Sequence, residues 1–208
     1  MQYPHLIIIA GCNGAGKSTF SSSLVKNVTP FDYDKKFIEI YNQLRDSEFR
    51  DQIATNQVTE ELNHLISSSF LEKKTICFET NLHVFPFTWI NEAKSLGYKI
   101  SMYFFSLKNI ELAKKRVEIR TKNKGHYVND STIEFKWKEG YKNLNIHFSL
   151  FDHIIYLDNT KPYSPKVMFE LEKDEKLDFK IYLYQPIIPK YIKHRLPSIF
   201  ELLPKNDK

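Results

Sequence analysis

Leu6–Ala10 is a continuous apolar run with three isoleucines. It is too short for a buried helix and rich in β-branching, so it predicts a central parallel strand covered on both faces. A glycine-rich turn follows, and then a helix over Lys17–Lys26. Helical spacing recurs over Tyr33–Arg50 and Gln52–Leu71. In the second, Val58, Leu62, Leu65, Ile66 and Ser69 fall at three- and four-residue steps. Thr75–Phe78 predicts a second buried strand, ending at Glu79. Phe85–Leu96 predicts a helix closed by Gly97, and Tyr98–Phe105 a third strand. Asn109–Thr121 reads as a helix with Ile110, Ala113 and Val117 on its buried stripe, followed by a polar loop over Lys122–Asn129 that contains Gly125. Ser131 is placed to cap a helix carrying Ile133, Trp137, Tyr141 and Leu144 inward. His153–Leu157 predicts a fourth strand.

Strands alternating with helices imply an α/β fold: right-handed crossovers and a mostly parallel sheet with helices on both faces. The tail differs. Lys166–Glu172 and Leu177–Leu183 alternate apolar and polar, and Lys173–Lys176 between them suits a turn, so a β-hairpin is expected there. Pro186, Pro189 and Pro197 are expected to break up the remaining segment. The organisation expected is a core over 1–160 and an extension over 161–208 packed on the same domain.

Composition narrows the class. The chain has 208 residues, 42% hydrophobic and 26% charged, the balance of a soluble globular protein rather than a disordered or disulfide-built one. No apolar run approaches the roughly 20 residues of a membrane span. No cationic stretch followed by an apolar core opens the sequence, so the cytosol is the expected compartment. Cys12 and Cys77 are the only cysteines, which suits a reducing compartment and lacks the spacing of a zinc site. The net charge is +5. Lys108–Lys124 alone holds seven basic residues against Glu111 and Glu118, so an anionic partner is expected near this segment.

The turn after the first strand carries the clearest chemistry. Gly11, Cys12, Asn13, Gly14, Ala15, Gly16, Lys17 and Ser18 spell G-x-x-x-x-G-K-S between a buried strand and a helix. Glycines let backbone N–H groups close around a polyphosphate, and the following helix adds its positive end. Lys17 then reaches the β- and γ-phosphates, and the Ser18 hydroxyl ligates Mg²⁺. The Cys12 thiol is expected to point away and stay inert.

Other groups converge on the same strand ends, where parallel sheets place ligands. Glu79 projects into the crevice that holds Lys17, or serves as a capping acid at a strand end. Asp34 stands where a carboxylate could accept the proton of an acceptor hydroxyl, and equally where an N-cap would stand. Asp32 is the weaker candidate base. Arg116 and Arg120 lie one helical turn apart and share a face. They suit a lid over phosphates, worth about 10³–10⁵ in rate when an arginine is supplied in cis. The other reading is a solvated basic face paired with Glu111 and Glu118.

These residues together resemble the zeta-toxin-like P-loop kinases, and more narrowly the branch described as predicted ABC-type ATPases. The resemblance rests on GCNGAGKSTF at 11–20, FETN at 78–81, RVEIR at 116–120, KGHYV at 124–128, YKNL at 141–144 and LDN at 157–159. It implies a P-loop NTPase fold, with ATP or GTP and Mg²⁺ used to phosphorylate a small hydroxylated substrate, which in such toxins is a UDP-activated amino sugar. By resemblance Lys17, Ser18 and Thr19 bind phosphates and Mg²⁺, Asp34 is the general base, Glu79 and Thr80 line the acceptor or metal site, and Arg116 and Arg120 clamp phosphates. Asn159 is expected near the nucleotide base or in a turn, and His126 as a hydrogen-bonding residue of its loop. Relatives often carry an arginine pair after the glycine loop. Here Lys136 stands in that stretch, a point charge without a bidentate fork. Lys124-Gly125 replaces two glycines.

The resemblance also implies a small helical antidote protein as partner. The alternative function is a regulatory NTPase that binds nucleic acid or another polyanion through 108–124. The absence of interleaved aromatics in that segment makes nucleic acid the weaker expectation.

Overall fold

The computed structural model describes residues 3–25, 27–123, 127–161, 163–174 and 176–203. Seven strands form one sheet in the order β2-β3-β1-β4-β5-β6-β7. They are β1 (His5–Ala10), β2 (Phe31–Asp32), β3 (Ile76–Thr80), β4 (Lys99–Ser106), β5 (His153–Asp158), β6 (Lys166–Lys173) and β7 (Phe179–Leu183). The first five pair in parallel, and β6 and β7 return antiparallel. This is the α/β, mostly parallel P-loop sheet that the apolar runs predict. Leu6, Ile8, Ile9, Ile100, Met102 and Ile154 are fully buried, as strands covered on both faces require. Phe104, Tyr156 and Phe169 stack in a row across β4, β5 and β6, with ring centroids 5.5 and 4.8 Å apart. That aromatic row fastens the late hairpin to the sheet.

The helices are α1 (Lys17–Leu24), α2 (Tyr33–Gln43), α3 (Arg50–Leu71), α4 (Phe87–Ser95), α5 (Ile110–Lys122), α6 (Asp130–His147), α7 (Lys190–Arg195) and α8 (Pro197–Phe200). Among the described residues none is long and apolar enough to cross a membrane.

Several boundaries differ from the sequence reading. The helix expected over Tyr33–Arg50 ends at Gln43, and the next begins at Arg50. Arg50 closes the corner: its Nε donates to the Tyr41 carbonyl at 2.9 Å, and its guanidinium lies 4.0 Å above the Tyr41 ring. A loose carbonyl at the helix end is thus satisfied from the start of the next helix. Helix α1 stops at Leu24, and Lys26 lies outside the described residues. Asn129, not Ser131, caps α6, its Oδ1 accepting from Thr132 N at 2.8 Å. The Ser131 hydroxyl donates to that same oxygen. Strand β7 starts two residues later than expected, because Leu177 takes a left-handed φ of +64°. Pro189 and Pro197 sit at helix starts, where proline's fixed φ is pre-organised and its missing N–H costs nothing, so the tail is partly helical rather than broken.

The register sets the site. Asp32 pairs with Glu79, Ala10 with Thr80 and Phe104, and Ser106 with Asp158. The carboxyl ends of β1 to β5 therefore align along one edge, and the loops leaving them meet there.

Candidate active site

The turn after β1 wraps back onto the sheet and opens α1. Gly16 holds φ +96°, and a Cβ there would stand 2.3 Å from Asn159 Nδ2. That amide nitrogen donates to the Ala15 carbonyl at 2.7 Å, with Asn159 only 2% exposed. Asn159 therefore fastens the turn from the end of β5, a use outside both roles expected of it. The Cys12 thiol is buried, and burial pushes its pKa up to about 12, so it is unreactive.

Lys17 is 9% exposed. Its ammonium donates to the carbonyls of Gly11 (2.9 Å) and Cys12 (3.3 Å) and to Asn81 Oδ1 (3.2 Å). A charge so held is directed before any ligand arrives. Asn81 sits inside the FETN motif, yet its hold on Lys17 has no local signal. Ser18 and Thr19 face solvent at the mouth of the same cleft.

The Ser18 hydroxyl lies 2.7 Å from Asp32 Oδ2 and 2.7 Å from Glu79 Oε2. One proton cannot serve both carboxylates at once. The surplus of anionic oxygen beside the phosphate turn suits a hard divalent cation that keeps most of its waters, so the donor set fits Mg²⁺. Among the described residues no group of three or more His, Cys, Asp or Glu could hold a metal unaided, and phosphate and water oxygens would complete the shell. Asp32 also caps α2, its Oδ1 accepting from Lys35 N at 3.1 Å. The capping role weighed for Asp34 thus belongs to Asp32, and Asp34 is left in the first turn with its carboxylate facing the cleft. Asn13 Nδ2 reaches Asp34 Oδ2 at 3.4 Å.

Burial raises the Glu79 pKa above its ordinary 4.5, opposed by the Ser18 hydrogen bond and helped by Asp32. A raised acid binds its proton more tightly folded than unfolded. Stability therefore falls as pH climbs from the unfolded value through the folded one. Glu79→Gln removes that loss. In chelator at about pH 7 its Tm is expected above the parent's. The gap should close near pH 4, and added Mg²⁺ should stabilise only the parent. Thermal melts at both pH values check this; a lower Tm for Glu79→Gln at about pH 7 contradicts it.

Arg116 does not hang over the turn as a free lid. Its Nη2 donates to the carbonyls of Asn159 (2.8 Å) and Thr160 (3.2 Å), and Nη1 to Gly14 at 3.4 Å. Arg116, Arg120 and Lys136 all line the cleft. Burial lowers the Lys136 pKa, as do Lys17 and Arg120, while Asp34 opposes. These groups therefore share one electrostatic field. Thr80 turns its hydroxyl onto its own loop, accepting from Leu82 N at 3.0 Å. Lys124, Gly125 and His126 lie outside the described residues.

The cleft has a volume of about 1600 Å³. It exceeds the roughly 300–1,000 Å³ of a single-ligand pocket, so it has room for two substrates. Its phosphate end holds the cations named above. The cleft's lining also includes the apolar side chains of Tyr33, Phe37, Leu62, Phe78, Phe87 and Trp89.

A family model described as Zeta toxin matches residues 1–164. No curated protein matches the chain by sequence. Among solved structures, the chain is similar to that of the PezAT chromosomal toxin-antitoxin system of Streptococcus pneumoniae. The identity is 17% and the TM-score 0.57, over 99% of this chain and 89% of that one. It is similar to AvrRxo1-ORF1:-ORF2 with ATP at 10% identity and TM-score 0.58, over 86% of this chain and 60% of that one. It is also similar to the Pnkp1/Rnl/Hen1 RNA repair complex at 17% identity and TM-score 0.52, over 80% of this chain. It spans about half the length of that repair-complex chain, 49%. At these identities the structural likeness is one of fold.

Proposed function

We propose that this chain, which belongs to the zeta toxin family, is a nucleotide-dependent kinase. It moves the γ-phosphoryl group of ATP or GTP to a hydroxyl of a small substrate, with a UDP-activated amino sugar as the first acceptor to test. The observation that carries this reading is one shared cleft. In it the phosphate turn with Lys17 and Ser18 faces a carboxylate, Asp34, that neither caps a helix nor joins the Ser18 pair. The core of the kinase is residues 1–160, and 161–208 extend the same domain.

In the proposed reaction the acceptor O–H gives its proton to Asp34 as its oxygen bonds to the γ-phosphorus, and the bond to the bridging β-oxygen breaks to release the nucleoside diphosphate. Ser18, with Asp32 and Glu79 beside it, would hold Mg²⁺, which when bound neutralises β- and γ-oxygens. Lys17, Arg120 and Lys136 face the charge that spreads over the transferred group, and Arg116, whose guanidinium holds the loop carbonyls, adds its positive field from behind them. Nucleotide contacts come from the backbone of Gly11–Gly16 and from Thr19. Thr80 lines the acceptor side.

The pairing of the basic helix α5 favours this reading over polyanion binding. Lys114 is held by Asp130 at 3.2 Å and Glu134 at 2.7 Å, and Lys122 by Glu118 at 2.7 Å. Arg116 and Arg120 turn into the cleft. A small helical antidote protein is the partner this family reading suggests. The test is a product screen by mass spectrometry with Mg-ATP or Mg-GTP and a panel of nucleotide sugars. A phosphorylated sugar that disappears with Lys17→Ala is the expected result. Product that persists in that variant, or no product and no nucleotide binding by the parent, sinks the proposal.

A further inference from the structure

In-line displacement sets the attacking oxygen opposite the bridging oxygen that leaves with the nucleoside diphosphate. Asp34 follows β2, and the sheet order puts β2 and β5 on opposite sides of β1, which carries the phosphate turn. With the acceptor on the β2 side, the nucleoside extends toward the loops after β4 and β5. The aromatic rings of the cleft that lie on α2, and those from β3 to α4, belong to the acceptor side. Two rings are left. Phe20 on α1 stacks on Phe105 of β4, with centroids 6.1 Å apart, and Tyr163 lies beyond β5.

Tyr163 is 87% exposed and holds φ +58°, in the left-handed region that a bulky side chain avoids. Such a conformation costs about 1–3 kcal/mol and persists where its surroundings impose it. The stretch before it is tied down. Asn159 donates to the Ala15 carbonyl of the phosphate turn, and Arg116 donates to the carbonyls of Asn159 and Thr160. The Thr160 N–H and hydroxyl reach Asp158 Oδ1, and Lys108 N donates to the Thr160 hydroxyl at 2.8 Å. Burial lowers the Arg116 pKa, and Tyr163 is among the groups near enough to oppose it. The ring is thus held out beside the phosphate turn, on a loop anchored to that turn. A base laid on it would cover apolar surface that the fold leaves in water.

We propose that Tyr163 stacks on the nucleobase of the phosphoryl donor. The inference rests on the kinase reading above and adds how the donor is held. Every base has a π-face, so a stacking platform takes ATP and GTP alike. Tyr163 is a binding residue here, with no part in the chemical step.

The test is calorimetry on the full chain in Mg²⁺, with non-hydrolysable analogues of ATP and GTP and with inorganic tripolyphosphate, which has no base. Tyr163→Ala is expected to weaken both analogues about tenfold, the effect of losing one stacked base. Tripolyphosphate affinity should stay unchanged. Tyr163→Phe keeps the ring and should bind as the parent does. In NMR spectra of the parent the Tyr163 ring signals should shift upfield with either analogue and stay in place with tripolyphosphate. Equal analogue affinity in parent and Tyr163→Ala, a matching loss for tripolyphosphate, a Phe variant as weak as the Ala variant, or unmoved ring signals would each overturn the proposal. Failure of the kinase reading shows separately, as product that persists with Lys17→Ala or as absent nucleotide heat in the parent.

Discussion

Asp34→Asn is expected to fold and to bind Mg-nucleotide as the parent does, yet to turn over about 10²–10⁴-fold more slowly, the share a positioned general base contributes. The substitution is close to isosteric, and the amide oxygen can still accept from Asn13 Nδ2. Helix α2 keeps its cap, because that bond comes from Asp32. What disappears is the carboxylate proposed to take the hydroxyl proton. Single-turnover measurements with an identified acceptor, beside a calorimetric nucleotide titration, separate the two effects. Normal turnover in the variant would move the base elsewhere, with Asp32 the next carboxylate to test. Asp32→Asn carries a different signature, since it also touches Ser18 and the cap of α2, and should lower Mg²⁺ dependence and stability together.

Lys17→Ala should remove about 10²–10³ in turnover and most of the nucleotide affinity, the scale set by deleting one pre-directed donor from a charge-stabilising site. Its ammonium is already fixed by two backbone carbonyls and by Asn81 Oδ1. Its three N–H donors are thus all engaged, and an entering triphosphate must take over one or more of them. The same geometry predicts a stability loss of about 1–3 kcal/mol, because the vacated acceptors belong to buried residues. Calorimetry with millimolar Mg-ATP and a thermal melt of each protein check both halves. Undiminished nucleotide heat in the variant would mean that this lysine is not the phosphate contact.

The fold was legible because buried parallel strands leave continuous apolar runs. Leu6–Ala10, Thr75–Phe78 and His153–Leu157 each mark a mostly buried strand. Strand β2 was illegible, since its two residues carry no period and owe their pairing to β3. The candidate site residues were readable as a set, and Lys17, Ser18, Thr19, Asp32, Asp34, Glu79, Thr80, Arg116, Arg120 and Lys136 line one cleft. Three asparagines of the sequence motifs were not assigned their tasks. Asn81 steadies Lys17, Asn143 donates to the Leu82 and His83 carbonyls after β3, and Asn159 holds Ala15 across 144 positions of sequence. A hydrogen bond between distant loops leaves no periodicity, so only coordinates reveal it.

Helix α7 also reaches toward the phosphate turn. Tyr191 donates to Asp158 Oδ2 at 2.5 Å, next to the asparagine that holds Ala15. Arg195, caged by the rings of Trp137, Tyr141 and Tyr191, donates to the carbonyls of Leu107 and Lys108 beyond β4. During synthesis the GKS segment leaves the ribosome early, and these two struts emerge long after it. A nascent chain thus carries the ends of β4 and β5 without these outer struts until that helix is out, while Asn159 and Arg116, which emerge sooner, are the groups that hold the loop itself.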